Sequence, residues 1–537
     1  MGLSFMPMVA AALTFSLTPA TRAADRPNIV LIMADDMGFS DLGCYGGEIE
    51  TPRLDRLADD GIRFSQFYNN ALCGPSRASL MTGLNPHSVG IGGRWTGLLK
   101  KNCVTLVELL KQAGYSTNAV GRLDMTTADK WHDPKMLARH LDHFFGSTGH
   151  TGPGNYFKAV RSAPFWLDGK SYTIPTEGYY RTDSIADYAV RFLRQSAAAK
   201  RPFFLYCGFT APHWPLHAKP ADIAKYRERY RKLGWDEARA RRHKRLIELG
   251  LVDRKWKLTP RDPRVPPWKA AKHKEWEAER MAVYAAQIDC LDQGIGRILD
   301  ALRQAGLERN TLVFFLSDNG PSHQTWGGSL DRKGTTWRLD GTPTKVGSKP
   351  GVQPGPADNF VCYGPPWANV SGTPFRQYKA TVHEGGIATP LIVRWPQVIT
   401  KGGGITQQVG HITDLMATCL DVAGVEYPAT FAGRKVLPLE GKSLLPAFHN
   451  RPVGGMSPSR ELCWELRGSR AIRMGRWKLV ALRGKPWELY DMDADRTEMH
   501  NLAKEQPDRV AAMAARFQAW ARRVGAARPP AKKGKRS

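Results

Sequence analysis

Apolar residues along this chain fall into two kinds of run. Asn28–Ala34 (NIVLIMA) and Thr311–Ser317 (TLVFFLS) are apolar at almost every position. That is the pattern of a strand buried on both faces of a parallel sheet. Residues 62–67, 203–209 and 390–395 read as further strands. Other runs have helical spacing: Leu54, Leu57 and Ala58 within 51–61, and Leu106, Leu109, Leu110 and Ala113 before Gly114. Ile185, Tyr188, Ala189, Phe192 and Leu193 mark an amphipathic helix over 182–199. Ile288, Leu291, Ile295, Ile298, Leu299 and Leu302 mark a long one over 277–306, and residues 411–424 predict another. A chain of 537 residues with this pattern makes more than one domain, or one large α/β core with an appendage.

The pattern changes near 425–442, which suggests a domain boundary. The remainder predicts short strands at 470–474, 477–482 and 487–491 and a closing helix over Pro507–Val524. The chain therefore divides into a catalytic-sized domain over 24–424, a C-terminal subdomain over 425–527 and a basic tail over 528–537 that reads as disordered. Residues 219–280 form an insertion with two basic residues for each acidic one. Its stretch 226–249 reads as exposed helix and 260–267 as loop. Residues 141–146 and 155–157 read as a loop lining a substrate cleft, and 323–370 as a long loop region over the site.

Charge adds a constraint. The formal net charge of +27 points to anionic partners: a sulfated or phosphorylated substrate, nucleic acid or an anionic surface. No paired C-x-x-C clusters or RNP-like aromatic motif is present, so nucleic acid is not expected. Residues 1–23 read as a secretory signal with a short apolar core and a cut after Ala23, although no Lys or Arg precedes that core. No later stretch reads as transmembrane, so a periplasmic or secreted protein without stable membrane insertion is expected. The eight cysteines show no framework spacing, and no disulfide pairing is assigned.

Candidate chemistry lies at the ends of the apolar runs. Asp35 and Asp36 follow the first strand, where open α/β sheets place their sites, and their oxygens suit Ca²⁺ or Mg²⁺. Cys73 opens CGPSRASLMTGL, which reads as a helix start with Pro75 in its first turn. An anion is favoured at such a terminus, and Arg77 lies one turn inside. His213, in TAPHWP after the strand at 203–209, is placed as a general acid on a loop; His217 is a weaker candidate.

The motif C-x-P-S-R-x-x-L-x-T-G resembles the active-site signature of the type I sulfatases, with Leu84 where the family has Arg. Four more stretches resemble that family in order: RPNIVLIMADDMGFSDLGCYG, TAPHWP, SDNG at 317–320, and TPFRQYKATVHEGGIAT. RAIRMGRWKLV and WELYDMDADRTEMHNLA resemble its C-terminal part. The resemblance runs from about residue 26 to 505. It implies an alkaline-phosphatase-like α/β fold, with a mostly parallel central sheet flanked by helices and a smaller C-terminal α+β subdomain. It also implies that a maturation enzyme converts Cys73 to formylglycine. Attack on sulfur is then by one hydroxyl of the hydrated aldehyde, and expulsion of sulfate is driven by the other. Asp35, Asp36, Asp318 and Asn319 would bind calcium together with the residue made from Cys73. Arg77, His213 and Lys379 would hold the sulfate, with His213 protonating the leaving oxygen.

One family element is broken. Where the family has G-K-W-H, this chain has Gly121-Arg122-Leu123-Asp124, and Lys130-Trp131-His132 follows eight residues later. Either the loop carries an insertion and Lys130 and His132 take the usual roles, or Arg122 supplies the cation. The expected activity is hydrolysis of a sulfated small molecule or glycan. The rivals are a phosphodiesterase or phosphonate hydrolase of the same superfamily, and a weakly catalytic binder of sulfated polysaccharide.

Overall fold

The computed structural model describes residues 26–93, 98–123, 126–127, 140–147, 155–160, 164–326, 341–449 and 460–526. In chain order the elements that position the site are β1 (Asn28–Ala34), α1 (Pro52–Asp59), β2 (Ile62–Tyr68), α2 (Cys73–Thr82), α3 (Leu106–Gln112), β3 (Ser116–Arg122), β4 (His143–Ser147), α4 (Arg181–Ala198), β5 (Phe203–Gly208), α5 (Arg227–Glu248), α6 (Lys274–Gln304), β6 (Thr311–Ser317), β7 (Ala388–Arg394) and α7 (Thr413–Ala423). The C-terminal part adds β8 (Glu461–Leu466), β9 (Ser469–Met474), β10 (Trp477–Ala481), β11 (Glu488–Asp491) and α8 (Pro507–Val524).

The main sheet runs β2-β7-β6-β1-β5-β3-β4, with short strands extending both ends. The β6-β1-β5-β3-β4 block is parallel, and β7 lies antiparallel between β2 and β6. Alternate residues of β1 enter different cores. Val30, Ile32 and Ala34 face one cluster with α4 and α6, while Ile29, Leu31 and Met33 face another with α3 and α7. Burial on both faces is why the run carries no polar alternation. The architecture is the expected one: an α/β molecule with a mostly parallel sheet between helical layers, followed by a smaller unit. In that unit β8–β11 form an antiparallel sheet, and α8 packs on it through Met513, Phe517 and Trp520.

Three local expectations are corrected. Residues 143–147 are a strand of the main sheet paired in parallel with β3, rather than part of a cleft loop. Burial of Phe144 and Phe145 on opposite faces accounts for it. The helix of the insertion is not simply exposed. It kinks at Gly234 (φ 60°), and Tyr230, Trp235, Arg239, Arg242 and Leu246 are buried. The region after 323 is not all loop, since Gly364–Ser371 is helical and carries the fully buried Trp367. All eight cysteines are free thiols. Among the described residues no helix is long and apolar enough to cross a membrane.

Candidate active site

The strands β1, β6, β5 and β3 end at one edge of the sheet. Register does the first positioning. Ala34 pairs with Ser317, so Asp35-Asp36 and Asp318-Asn319 leave adjacent parallel strands side by side. The Asp318 amide donates to the Ala34 carbonyl at 3.2 Å, and the Asp36 amide to Asp318 Oδ1 at 3.2 Å. The Ser317 hydroxyl accepts from the Met37 amide and donates to the Asn319 carbonyl, both at 3.0 Å, which ties the two turns together. Asp36 has φ 65°, a left-handed conformation that short polar side chains tolerate.

All four side chains are buried. Among the described residues, no hydrogen-bond partner meets Asp35 Oδ1, Asp36 Oδ2 or Asn319 Oδ1. Buried acceptors left this way are costly unless a ligand meets them. Asp35, Asp36 and His213 offer ligand atoms within 4.8 Å of one another. Oxygen donors dominate the set, so the residues fit a hard divalent cation.

Cys73 is the first residue of α2, directly after extended Leu72. The turn is shaped by Asn70, whose amide donates to the Ser76 hydroxyl at 3.0 Å and whose side chain donates to the Ser79 hydroxyl at 2.9 Å. Pro75 lies in the first turn, as expected, and Gly83 (φ 63°) ends the helix. Leu84 is buried in the apolar core, which suits the apolar residue found at that place.

Three cations meet the acids. Arg122, at the end of β3, donates from Nη1 to Asp35 and from Nη2 to Cys73 Sγ at 3.3 Å. Arg77 donates from Nη2 to Asp35 Oδ2 at 3.1 Å and Asp318 Oδ2 at 2.9 Å, and from Nη1 to the Tyr206 hydroxyl at 2.6 Å. Lys379 Nζ lies 2.5 Å from Asp36 Oδ1, which also accepts from Asn319 Nδ2 at 2.7 Å. Burial alone would raise the Asp35 carboxyl, but Arg122, His213, Arg77 and Lys379 hold it well below the usual carboxylate range. Burial alone would lower Lys379; Asp36, Cys73, Asp35 and Asp318 more than reverse this. Asp318 is pushed up, by burial first and then by the charge of Asp35.

His213 Nδ1 lies 2.7 Å from the Trp214 carbonyl, which can only accept, so Nδ1 carries the hydrogen. Nε2 then faces Asp36 Oδ2 at 3.5 Å. Burial lowers the His213 pKa, with Asp36 and Asp35 opposing. His217 is spent on structure. Its Nε2 lies 2.6 Å from the Asn359 carbonyl and its Nδ1 accepts from the Tyr156 amide. The structure thus brings together Asp35, Asp36, Cys73, Arg77, Arg122, His213, Asp318, Asn319 and Lys379. Lys130 and His132 lie outside the described residues. Tyr206 was not anticipated, because within an apolar strand a tyrosine gives no signal apart from its packing.

A family profile described as Sulfatase matches residues 27–425, a span that includes every residue of this site. The chain belongs to the sulfatase family. A second profile, N-sulphoglucosamine sulphohydrolase, C-terminal, matches residues 376–520. The chain is 32% identical to the arylsulfatase of Klebsiella aerogenes over 81% of its own length and 95% of that protein. It is 29% identical to the N-acetylgalactosamine-6-sulfatase of Canis lupus familiaris, over 86% of its length and 72% of that protein. Among solved structures, Ps i-CgsB superposes with a TM-score of 0.65 at 25% identity, covering 92% of each chain. This sulfatase is a sulfuric ester hydrolase, and its acidic cluster is a possible metal site.

Proposed function

We propose that this sulfatase acts on sulfated carbohydrate, using a formylglycine made from Cys73 and a calcium ion held by Asp35, Asp36, Asp318 and Asn319. The observation that carries the reading is one juxtaposition. Cys73 heads a buried helix, its sulfur meets the Arg122 guanidinium, and three acceptor oxygens without a hydrogen-bond partner among the described residues lie in the same acidic cluster. Carbohydrate is favoured because a relative over most of the chain is named as an N-acetylgalactosamine-6-sulfatase.

When bound, calcium supplies positive charge that polarises the sulfate. The hydrated formylglycine supplies one hydroxyl for attack on sulfur and a second for release of sulfate. The remaining work falls to side chains. Arg122 and Lys379 offer fixed cations to the sulfate oxygens, in a site dry enough to make them effective. Arg77 holds Asp35 and Asp318 in place through its fork. His213, as the imidazolium that Asp36 and Asp35 favour, delivers its Nε2 proton to the leaving oxygen and keeps its Nδ1 hydrogen on the Trp214 carbonyl, which fixes the ring for that transfer. The family resemblance gives Lys130 the sulfate role and His132 the second-hydroxyl role, and both lie outside the described residues.

The test is the mass of the peptide containing Cys73 after co-expression with a maturation enzyme, together with turnover of Cys73→Ala. Conversion of the thiol to the aldehyde, and loss of sulfate release in a folded variant, are expected. An unconverted cysteine in active protein, or an active Cys73→Ala variant, contradicts the reading.

A further inference from the structure

Behind the site lies a cluster of charged side chains to which the mechanism assigns no part. Glu384, Lys478, Arg496 and Glu498 are all fully buried. Lys478 Nζ stands 2.8 Å from Glu384 Oε1 and 2.9 Å from Glu498 Oε1. Arg496 Nε donates to Glu384 Oε2 at 3.1 Å, and the Tyr68 hydroxyl donates to the same oxygen at 2.8 Å. Glu498 Oε2 accepts from the Glu384 amide and from His383 Nδ1, each at 3.0 Å. Lys478 lies on β10, and Arg496 and Glu498 lie in the turn after β11, so three of the four charges come from the C-terminal unit.

The partners of this cluster flank the segment that carries Lys379. Arg376, three residues before Lys379, donates from Nη1 to the Glu498 carbonyl at 3.1 Å, and its own carbonyl accepts the Gly385 amide at 3.1 Å. Between those anchors Gln377 (φ 66°) and Ala380 (φ 68°) sit in the left-handed region. Neither residue favours that conformation, so the fold around them has to impose it. The same segment touches the Cys73 loop, since the Ala380 amide donates to the Ala71 carbonyl at 2.8 Å. A second arm comes from β8, where Trp464 Nε1 donates to the Asn69 carbonyl at 2.7 Å.

We propose that the C-terminal unit completes the catalytic site. Glu498, with Lys478 and Arg376, acts as a positioning group that holds the segment around Lys379 against the acids and the Cys73 loop. A buried ion cluster is weak evidence for stability, because desolvation offsets its attraction. Fixing one geometry is the best-attested use of such clusters, and here the fixed element carries a cation aimed at the site. The proposal rests on the sulfatase reading above.

The test combines a double-mutant cycle with hydrogen–deuterium exchange on the matured full chain. Glu498→Gln keeps the shape and removes the charge. Arg376→Met, at a partly exposed position, serves if Glu498→Gln does not fold. In folded protein the expected kcat loss is at least about tenfold, with KM changed by less than about threefold. The same substitution in a Lys379→Ala background should cost nothing further, because its effect runs through Lys379. Exchange of residues 373–387 should quicken in the variant while β1 and β6 stay protected. Equal kcat losses in both backgrounds overturn the proposal, as does wild-type kcat with unchanged exchange. Exchange also decides the point if the wild type releases no sulfate, so failure of the positioning role is separable from failure of the catalytic reading.

Discussion

At the scale of single residues, the question left by the sequence is which cation stands beside Cys73. Arg122 has a fork that reaches Asp35 with one nitrogen and Cys73 with another. A lysine at that place could not span both groups, so Arg122→Lys should not restore what Arg122→Ala removes. Each is expected to lower kcat about 100-fold, the scale for losing a preorganised charge at a reacting centre. Steady-state kinetics on these variants and on Lys130→Ala and His132→Ala checks this. A silent Arg122→Ala beside an inactive Lys130→Ala would return the role to the displaced K-W-H triplet. Asp35 and Asp36 were legible because they end an apolar strand, whereas Cys73, Asp318 and Asn319 stood out through the family resemblance of their motifs. The function of Arg77 was less so. Its guanidinium meets Asp35 and Asp318, partners 42 and 241 residues away, and no spacing rule pairs such residues.

At the scale of elements, the strands read best where they are buried on both faces. Asn28–Ala34 and Thr311–Ser317 have the expected bounds, because short unbroken apolar runs that end at polar turns fit a strand buried on both faces. The helix Pro507–Val524 was equally plain, with Pro at its start and Gly after its end. The insertion was misread for a physical reason. Arg239 and Arg242 look solvated in sequence but are buried, and Arg242 bonds to Asp41 at 2.7 Å and to Glu48 at 2.7 Å. Asp41 also accepts from the Gly38 amide and the Tyr284 hydroxyl, each at 2.8 Å, so the insertion helix braces the turn that follows Asp35 and Asp36. Arg242→Met leaves the carboxylate of Asp41 buried without its cation. It should cost about 3–5 kcal/mol in denaturant unfolding, the range for breaking one side of a buried pair. A loss below about 1 kcal/mol would show the contact to be incidental.

At the scale of the whole molecule, buried neutral histidines set a pH dependence of stability. His217 and His411 are depressed, to about 4 and about 3, His217 by burial and His411 by burial and then by Arg460. The unfolded chain binds their protons near pH 6.5, so below that pH unfolding takes up protons that the folded state refuses. Stability from these groups is therefore fully present above pH 6.5 and declines as pH falls toward about 4, where His217 begins to charge in the folded state. At pH 5 each should have cost about 2 kcal/mol relative to pH 7. Denaturation of the wild type and of His411→Asn across this range measures the share of one group, since the variant should show a shallower decline. The same scale explains what the sequence could not disclose. The charges joining the C-terminal unit to the site, Glu384 to Lys478 and Arg496, pair residues 94 and 112 positions apart in the chain, and no local pattern signals such a pairing.

The central claim is metal-dependent hydrolysis of sulfate esters at the Cys73 site. Its most direct measurement is the rate of release from a matched pair of chromogenic esters, one sulfate and one phosphate, by the matured full chain with and without calcium chelation. Preferential sulfate release that chelation abolishes and added calcium restores is the predicted result. Preferential phosphate release, or sulfate release indifferent to chelation, would contradict it.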